Sequence, residues 1–274
     1  MVQPDWLEAR IGEPDLRIID ATWYLPSEGR DARAEYEAGH LPGAVHLDLS
    51  TDLADADASV RNTVASPAAL AQSFAAAGVG TDQRVIVYDR RRGYSAGRVW
   101  WTLQYAGHPR AGLLDGGFTR WQAEGRTVTQ EIPELPPAHF DARAQPRWLA
   151  HKCDVLRILR EGGARIIDAR SSERFHGRAP EPARRKGHIP GSGNVPHSQN
   201  LSPQTESFLE LASLRRIYEE AGVRFDEPVV TTCGSGVTAS LAAFALTLLG
   251  HRDVTVYDGS WAEWGNTDDV PVES

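Results

Sequence analysis

The chain repeats itself once, and that repeat constrains its fold more than any other feature. Arg17-Ile18-Ile19-Asp20-Ala21 is followed by Gly39-His40-Leu41-Pro42-Gly43. Arg165-Ile166-Ile167-Asp168-Ala169 is followed by Gly187-His188-Ile189-Pro190-Gly191. The step from Asp to His is 20 residues in both halves (40 − 20 and 188 − 168). Next comes an apolar run, Val85-Ile86-Val87-Tyr88 or Val229-Val230-Thr231-Thr232, and then a small-residue segment ending in Gly107-His108 or Gly250-His251. Each half closes alike, on Asp115-Gly116-Gly117-Phe118 with Trp121, or Asp258-Gly259-Ser260-Trp261 with Trp264. Landmarks held in order and at matched intervals mean one structural unit used twice.

Within each unit, short β-branched runs alternate with segments of helical spacing such as Ala69–Ala77 and Leu211–Tyr218. That alternation predicts an α/β fold, with a mainly parallel sheet flanked by helices in each of two tandem domains. The proline-rich stretch Glu131–Phe140 has no helical period and reads as an extended connection. The expected division is a first domain over 1–127, a linker over 128–146 and a second domain over 147–274.

A hydrophobic fraction of 41% over 274 residues is enough for two cores, and 24% charged residues is ordinary for a globular chain. The net charge of −8 argues against a nucleic-acid partner, and no apolar run is long enough to span a membrane. Cys153 and Cys233 are the only cysteines, too few for a disulfide framework, and no ligand spacing suggests a metal. No signal-peptide pattern opens the sequence, so a reducing cytoplasm is the expected compartment. No cofactor is expected.

Chemistry concentrates at Thr232-Cys233-Gly234-Ser235-Gly236-Val237-Thr238-Ala239, which reads as a strand end, a thiol, a tight loop and a helix start. Backbone N–H groups converge there and favour an anion. Lowering a thiol pKa from about 8.5 to about 6.5 takes about 2.7 kcal/mol of preference for the thiolate. A helix start supplies up to about 2 kcal/mol of that, and loop donors can supply the remainder. Gly234 and Gly236 let the backbone curl around the sulfur, Ser235 offers a hydroxyl, and Thr238 can brace the helix start. At the matching point the first half has Asp89-Arg90-Arg91-Arg92-Gly93 and no thiol, so only the second half can carry thiol chemistry. Cys153 lacks such a loop and reads as incidental. His40 and His188 occur in both halves, which points to a structural role.

The paired Gly-His-Leu/Ile-Pro-Gly turns, the Asp-Gly closures and the Cys233 loop together resemble the two-domain rhodanese-type sulfurtransferases, over nearly the whole chain. Within that family the loop is similar to that of the 3-mercaptopyruvate enzymes. Thiosulfate enzymes often carry cations where this chain has Gly234 and Ser235. The resemblance implies that Cys233, helped by Ser235, takes a sulfane sulfur as a persulfide and passes it to cyanide or to a thiol acceptor such as thioredoxin. It also implies that two arginines hold the donor's carboxylate and keto group. Arg174 matches the first. Arg184 matches the second best, with Arg185 as an alternative because the segment is short here. Gly234, Gly236, Val237, Thr238 and Tyr94 complete the expected donor site; Arg98 matches the family as well. The aspartate and histidine that the family's first domain often contributes fall at Ser50, beside Asp48 and Asp52, and at Asn62, so no proton relay is expected there. A related thiol phosphatase would need an arginine six residues after the cysteine, where this chain has Ala239. Thiosulfate as donor, or a non-enzymatic sulfur carrier, are the competing expectations.

Overall fold

The computed structural model describes all 274 residues. By contacts the chain forms two compact units. One comprises Met1–Ala56, Val64–Ala144 and Ser202–Phe208; the other comprises Asp57–Thr63, Gln145–Leu201 and Leu209–Ser274. The division is therefore not a single cut at the proline-rich stretch. Residues 129–140 run along the first unit, with Thr129 paired to His40, Ala138 N–H donating to Ala75 O, and Phe140 buried against Phe74.

The first unit holds a four-stranded sheet in the order β2-β1-β3-β4: β1 Leu16–Asp20, β2 Ala44–His46, β3 Arg84–Tyr88 and β4 Ala111–Leu113. The second holds five strands in the order β5-β9-β8-β6-β7: β5 Leu149–Ala150, β6 Arg165–Asp168, β7 Gly193–Asn194, β8 Val229–Thr232 and β9 Val254–Tyr257. Every pairing is parallel. The two orders correspond, with β2, β1, β3 and β4 matching β7, β6, β8 and β9. The extra strand β5 has its counterpart in the parallel bridge of Val2 to Leu114. The α/β expectation from the repeat therefore holds strand by strand.

Parallel strands covered on both faces read as continuous apolar runs, and all four residues of β8 are buried. The helix that follows β8, Val237–Leu248, is buried at every residue from Val237 to Leu246. Its alanines and small polar residues explain how, since a helix apolar on all sides belongs inside. Ala96–Tyr105 plays the same part after β3. His40 and His188 are core pieces. His40 Nδ1 meets Tyr36 O at 2.7 Å, and His188 Nδ1 meets Phe175 O at 2.9 Å, each ring stacked on that same residue. Trp121, Trp261 and Trp264 are fully buried, and each indole N–H donates to a backbone carbonyl. No helix is long and apolar enough to cross a membrane.

Candidate active site

The register of the two sheets places Cys233 and Asp89 at one and the same position. Tyr88 lies opposite Asp20 and Thr232 opposite Asp168. The next residue in each half accepts the same bond: Asp89 O from Phe118 N–H at 3.0 Å, Cys233 O from Trp261 N–H at 3.0 Å. The thiol and the carboxylate therefore stem from equivalent points at the ends of the two central strands.

The first unit shows what such a loop does to an anion. Asp89 is buried, and its carboxylate accepts from the N–H groups of Arg91 (2.8 Å), Gly93 (2.9 Å), Ser95 (2.8 Å) and Ala96 (2.8 Å) and from Ser95 Oγ (3.1 Å). Burial leaves this carboxyl above its ordinary value, and the four backbone N–H groups offset part of that rise. Five donors converging on one residue form a nest for negative charge.

In the second unit Cys233 is 2% exposed and stays a free thiol. Its N–H donates to Ser260 Oγ at 3.1 Å, and Ser260 Oγ donates to Tyr257 O at 2.8 Å. Ala262 N–H ties down Gly234 O at 2.8 Å. Gly236 turns at φ +77°, a left-handed conformation that suits glycine, and its carbonyl takes Ser240 Oγ at 2.9 Å as the helix begins. Val237 and Thr238 are buried at the helix start, while Ser235 is partly exposed.

Arg174 lies against this loop. A Cβ built on Gly234 would stand 2.9 Å from Arg174 Nη2 and 3.4 Å from Nη1. Its guanidinium is bound through Nε (3.0 Å) and Nη2 (2.5 Å) to Glu181. Burial works against the Arg174 charge, but Glu181, with smaller help from Cys233 and Asp168, holds it above its ordinary value. Glu181 also takes Arg170 Nη1 at 3.2 Å. Arg170 is itself buried on Asp168 (2.6–3.1 Å), on Gly187 O (2.8 Å) and over the ring of Trp261 (4.4 Å).

Arg184 does not join this group. Its side chain is 60% exposed and bonds to Asp268 at 2.9 Å and to the Asn266 carbonyl. Arg185 is spent on backbone too, on the carbonyls of Trp264, Thr267 and Val270. Both candidates for the second arginine are engaged with the segment Trp264–Val270 in this structure. Tyr94 belongs to the first unit, flat against Trp23 and under the Arg91 guanidinium. Asp48 caps its own turn through Ser50 N–H (2.7 Å), and Asn62 sits buried at φ +64° in the segment assigned to the second unit.

Sequence reasoning passed over Arg170, Glu181 and Ser260. The repeat carried a signal for two of them. Arg170 stands where the first half has Thr22, and Ser260 where it has Gly117; both differences occur beside the thiol. Glu181 lies in an irregular segment with no period to single it out.

Fold and site together define a tandem α/β protein with one thiol-bearing anion loop. A rhodanese-like domain matches residues 3–124 and again 153–267. The chain is 38% identical over 276 residues to the 3-mercaptopyruvate sulfurtransferase of Escherichia coli K12, covering 99% of this chain and 97% of that one. It is 35% identical over 297 residues to the mitochondrial thiosulfate/3-mercaptopyruvate sulfurtransferase 1 of Arabidopsis thaliana, covering 100% and 78%. The crystal structure of the Escherichia coli protein SseA, described as a 3-mercaptopyruvate sulfotransferase with the rhodanese fold, superimposes with a TM-score of 0.85 at 36% identity, over 95% of this chain and 98% of that one. The chain belongs to the two-domain rhodanese family of sulfurtransferases, enzymes that take sulfur from a donor and hand it to an acceptor.

Proposed function

We propose that this enzyme takes its sulfur from 3-mercaptopyruvate, holds it as a persulfide on Cys233 and delivers it to a thiol or to cyanide. One observation carries the assignment of Cys233: it occupies the position where, in the other unit, the loop surrounds the Asp89 carboxylate with five donors. Counting back from the helices, Ser95 and Ala96 correspond to Thr238 and Ala239, and Gly93 to Gly236. Those N–H groups are the ones placed to receive a charged sulfur on Cys233. Ser235, partly exposed in the loop, can add its hydroxyl to the donor.

The steps balance simply. The Cys233 thiolate attacks the donor sulfur, an S–S bond forms and the donor's C3–S bond breaks. The electron pair leaves as the enolate of pyruvate, which takes up a proton to become pyruvate. An acceptor thiolate or cyanide then attacks the outer sulfur and restores the Cys233 thiolate. Arg174 takes the donor carboxylate, a pairing that suits its planar fork. Arg184, paired with Asp268 at the surface, is not given a part in this step. Thioredoxin or another small thiol protein is the proposed acceptor class. The free thiols Cys153 and Cys233 fit a reducing compartment such as the cytoplasm.

The test compares sulfur transfer to cyanide from 3-mercaptopyruvate and from thiosulfate, with intact-mass measurement of the loaded enzyme. The expected results are a higher kcat/KM for mercaptopyruvate and a gain of one sulfur atom that Cys233→Ser abolishes. A higher kcat/KM for thiosulfate overturns the donor, and a sulfur gain that survives Cys233→Ser overturns the carrier residue.

A further inference from the structure

We infer that Glu181 is the positioning residue that sets donor preference, by fixing which edge of Arg174 faces the loop and by cancelling its charge. This rests on the reading of Arg174 as the carboxylate clamp.

An arginine has two bidentate edges: a side edge, Nε with one Nη, and an end edge, Nη1 with Nη2. Glu181 occupies the side edge through Nε at 3.0 Å and Nη2 at 2.5 Å. The end edge is left facing Gly234, where a Cβ would meet Nη2 at 2.9 Å and Nη1 at 3.4 Å. Glu181 can impose this because it is buried and held from both sides. It is 4% exposed and pinned from the far side by Arg170, which is 1% exposed and anchored on Asp168 and Gly187 O. The relay therefore runs from the end of β6 through Asp168, Arg170 and Glu181 to Arg174.

Its charges alternate as −, +, −, + and sum to zero. A thiolate at Cys233 adds one negative charge, which the loop N–H groups receive. A donor with a single negative charge meets one fork and no surplus. A dianion such as thiosulfate meets the same single fork, whose positive charge the Glu181 carboxylate already offsets. The selectivity thus arises from cancellation around Arg174 as much as from the small residues Gly234 and Ser235.

The experiment measures kcat/KM for both donors in wild type and Glu181→Gln, together with the pH dependence of Cys233 alkylation by iodoacetamide. Replacing the carboxylate with a neutral amide frees one positive charge and loosens the fork. The ratio of kcat/KM, mercaptopyruvate over thiosulfate, is expected to fall about tenfold, and the alkylation profile to move to lower pH. Equal losses with both donors and an unmoved profile would mean a merely structural carboxylate and would overturn the inference. Should Glu181→Gln fail to fold, Glu181→Asp keeps the charge on Arg170 but is one methylene too short to hold Arg174. It is then expected to raise KM for mercaptopyruvate more than for thiosulfate, and equal changes again overturn the inference. A wild-type preference for thiosulfate would count against the donor reading itself, while the alkylation profile still reports on Glu181.

Discussion

Ser260 stands in a conformation that costs energy, and what it gains there can be measured. Its φ is +48°, left-handed for a residue with a Cβ. The equivalent residue of the first unit, Gly117, adopts φ +52° without that cost. A serine in this region gives up about 1 kcal/mol relative to glycine, once glycine's greater freedom in the unfolded chain is counted. The return is the hydroxyl, which accepts the buried N–H of Cys233 at 3.1 Å and donates to Tyr257 O at 2.8 Å. Leaving that N–H unmet costs about 1–3 kcal/mol. Ser260→Ala keeps the strain and loses both bonds, for a net loss of about 2–3 kcal/mol; Ser260→Gly loses the bonds but sheds the strain, for about 1–2 kcal/mol. The expected order of stability is therefore wild type, then glycine, then alanine, which reverses the usual preference for alanine over glycine. With m about 1–3 kcal/mol/M, the glycine and alanine variants should differ by about 0.3–1 M in urea midpoint. Urea unfolding followed by fluorescence, which reports on the buried Trp261 and Trp264 beside this turn, reads the order directly. An alanine variant as stable as the glycine variant would refute the strain argument, and a glycine variant as stable as wild type would refute the role of the hydroxyl.

Two further outcomes separate the residues that serve the donor from those that do not. Gly234→Ala places a Cβ 2.9 Å from Arg174 Nη2, and its backbone is not in the left-handed region, so the guanidinium rather than the loop must give way. Loss of about 1 kcal/mol of fork geometry should raise KM for mercaptopyruvate about fivefold with kcat little changed, read from initial rates; an unchanged KM would refute the contact. Arg184→Ala breaks an exposed pair with Asp268 and should leave KM for either donor within about twofold; a larger rise in KM for mercaptopyruvate would restore Arg184 as a clamp.

The parts of the fold legible in the sequence were those written in periodicity and spacing. The two Asp-to-His intervals, the β-branched runs and the Cys233 loop all follow from local pattern, because strands and helix starts are dictated largely by near neighbours. The fate of the arginines was not legible. Arg174 lies in a four-residue helix, Ser172–Phe175, too short to show a period, and Arg184 and Arg185 lie in the irregular segment that follows. Their partners are Glu181 for the first and Asn266–Asp268, Thr267 and Val270 for the others. The carbonyls that capture Arg185 become available only when the C-terminal segment has folded back, so a match by position to a family pattern could not foresee these partners. The same holds for the units' composition: Asp57–Thr63 and Ser202–Phe208 each cluster with the other half's unit, and no local signal marks such an exchange.

Asp89 sharpens what the Cys233 loop is built to hold. The charge of an aspartate sits on an oxygen two bonds beyond Cβ, whereas a thiolate carries its charge only one bond beyond. In the proposed persulfide the outer sulfur again lies two bonds out, across an S–S bond of about 2.05 Å. The first unit's loop thus closes around an atom two bonds beyond Cβ, the distance along the side chain at which a persulfide on Cys233 would carry its outer sulfur. The two loops are not identical: strand end to helix start is six residues from Asp89 to Ser95 but five from Cys233 to Thr238, so the thiol-bearing loop is the shorter. When the donor's C–S bond breaks, its electron pair goes to the pyruvate enolate; donors aimed at the outer sulfur would hold the charge that the persulfide carries once its S–H proton is lost, until the acceptor attacks. Such placement favours the intermediate between two transfers, which is where a sulfurtransferase must wait for its second substrate.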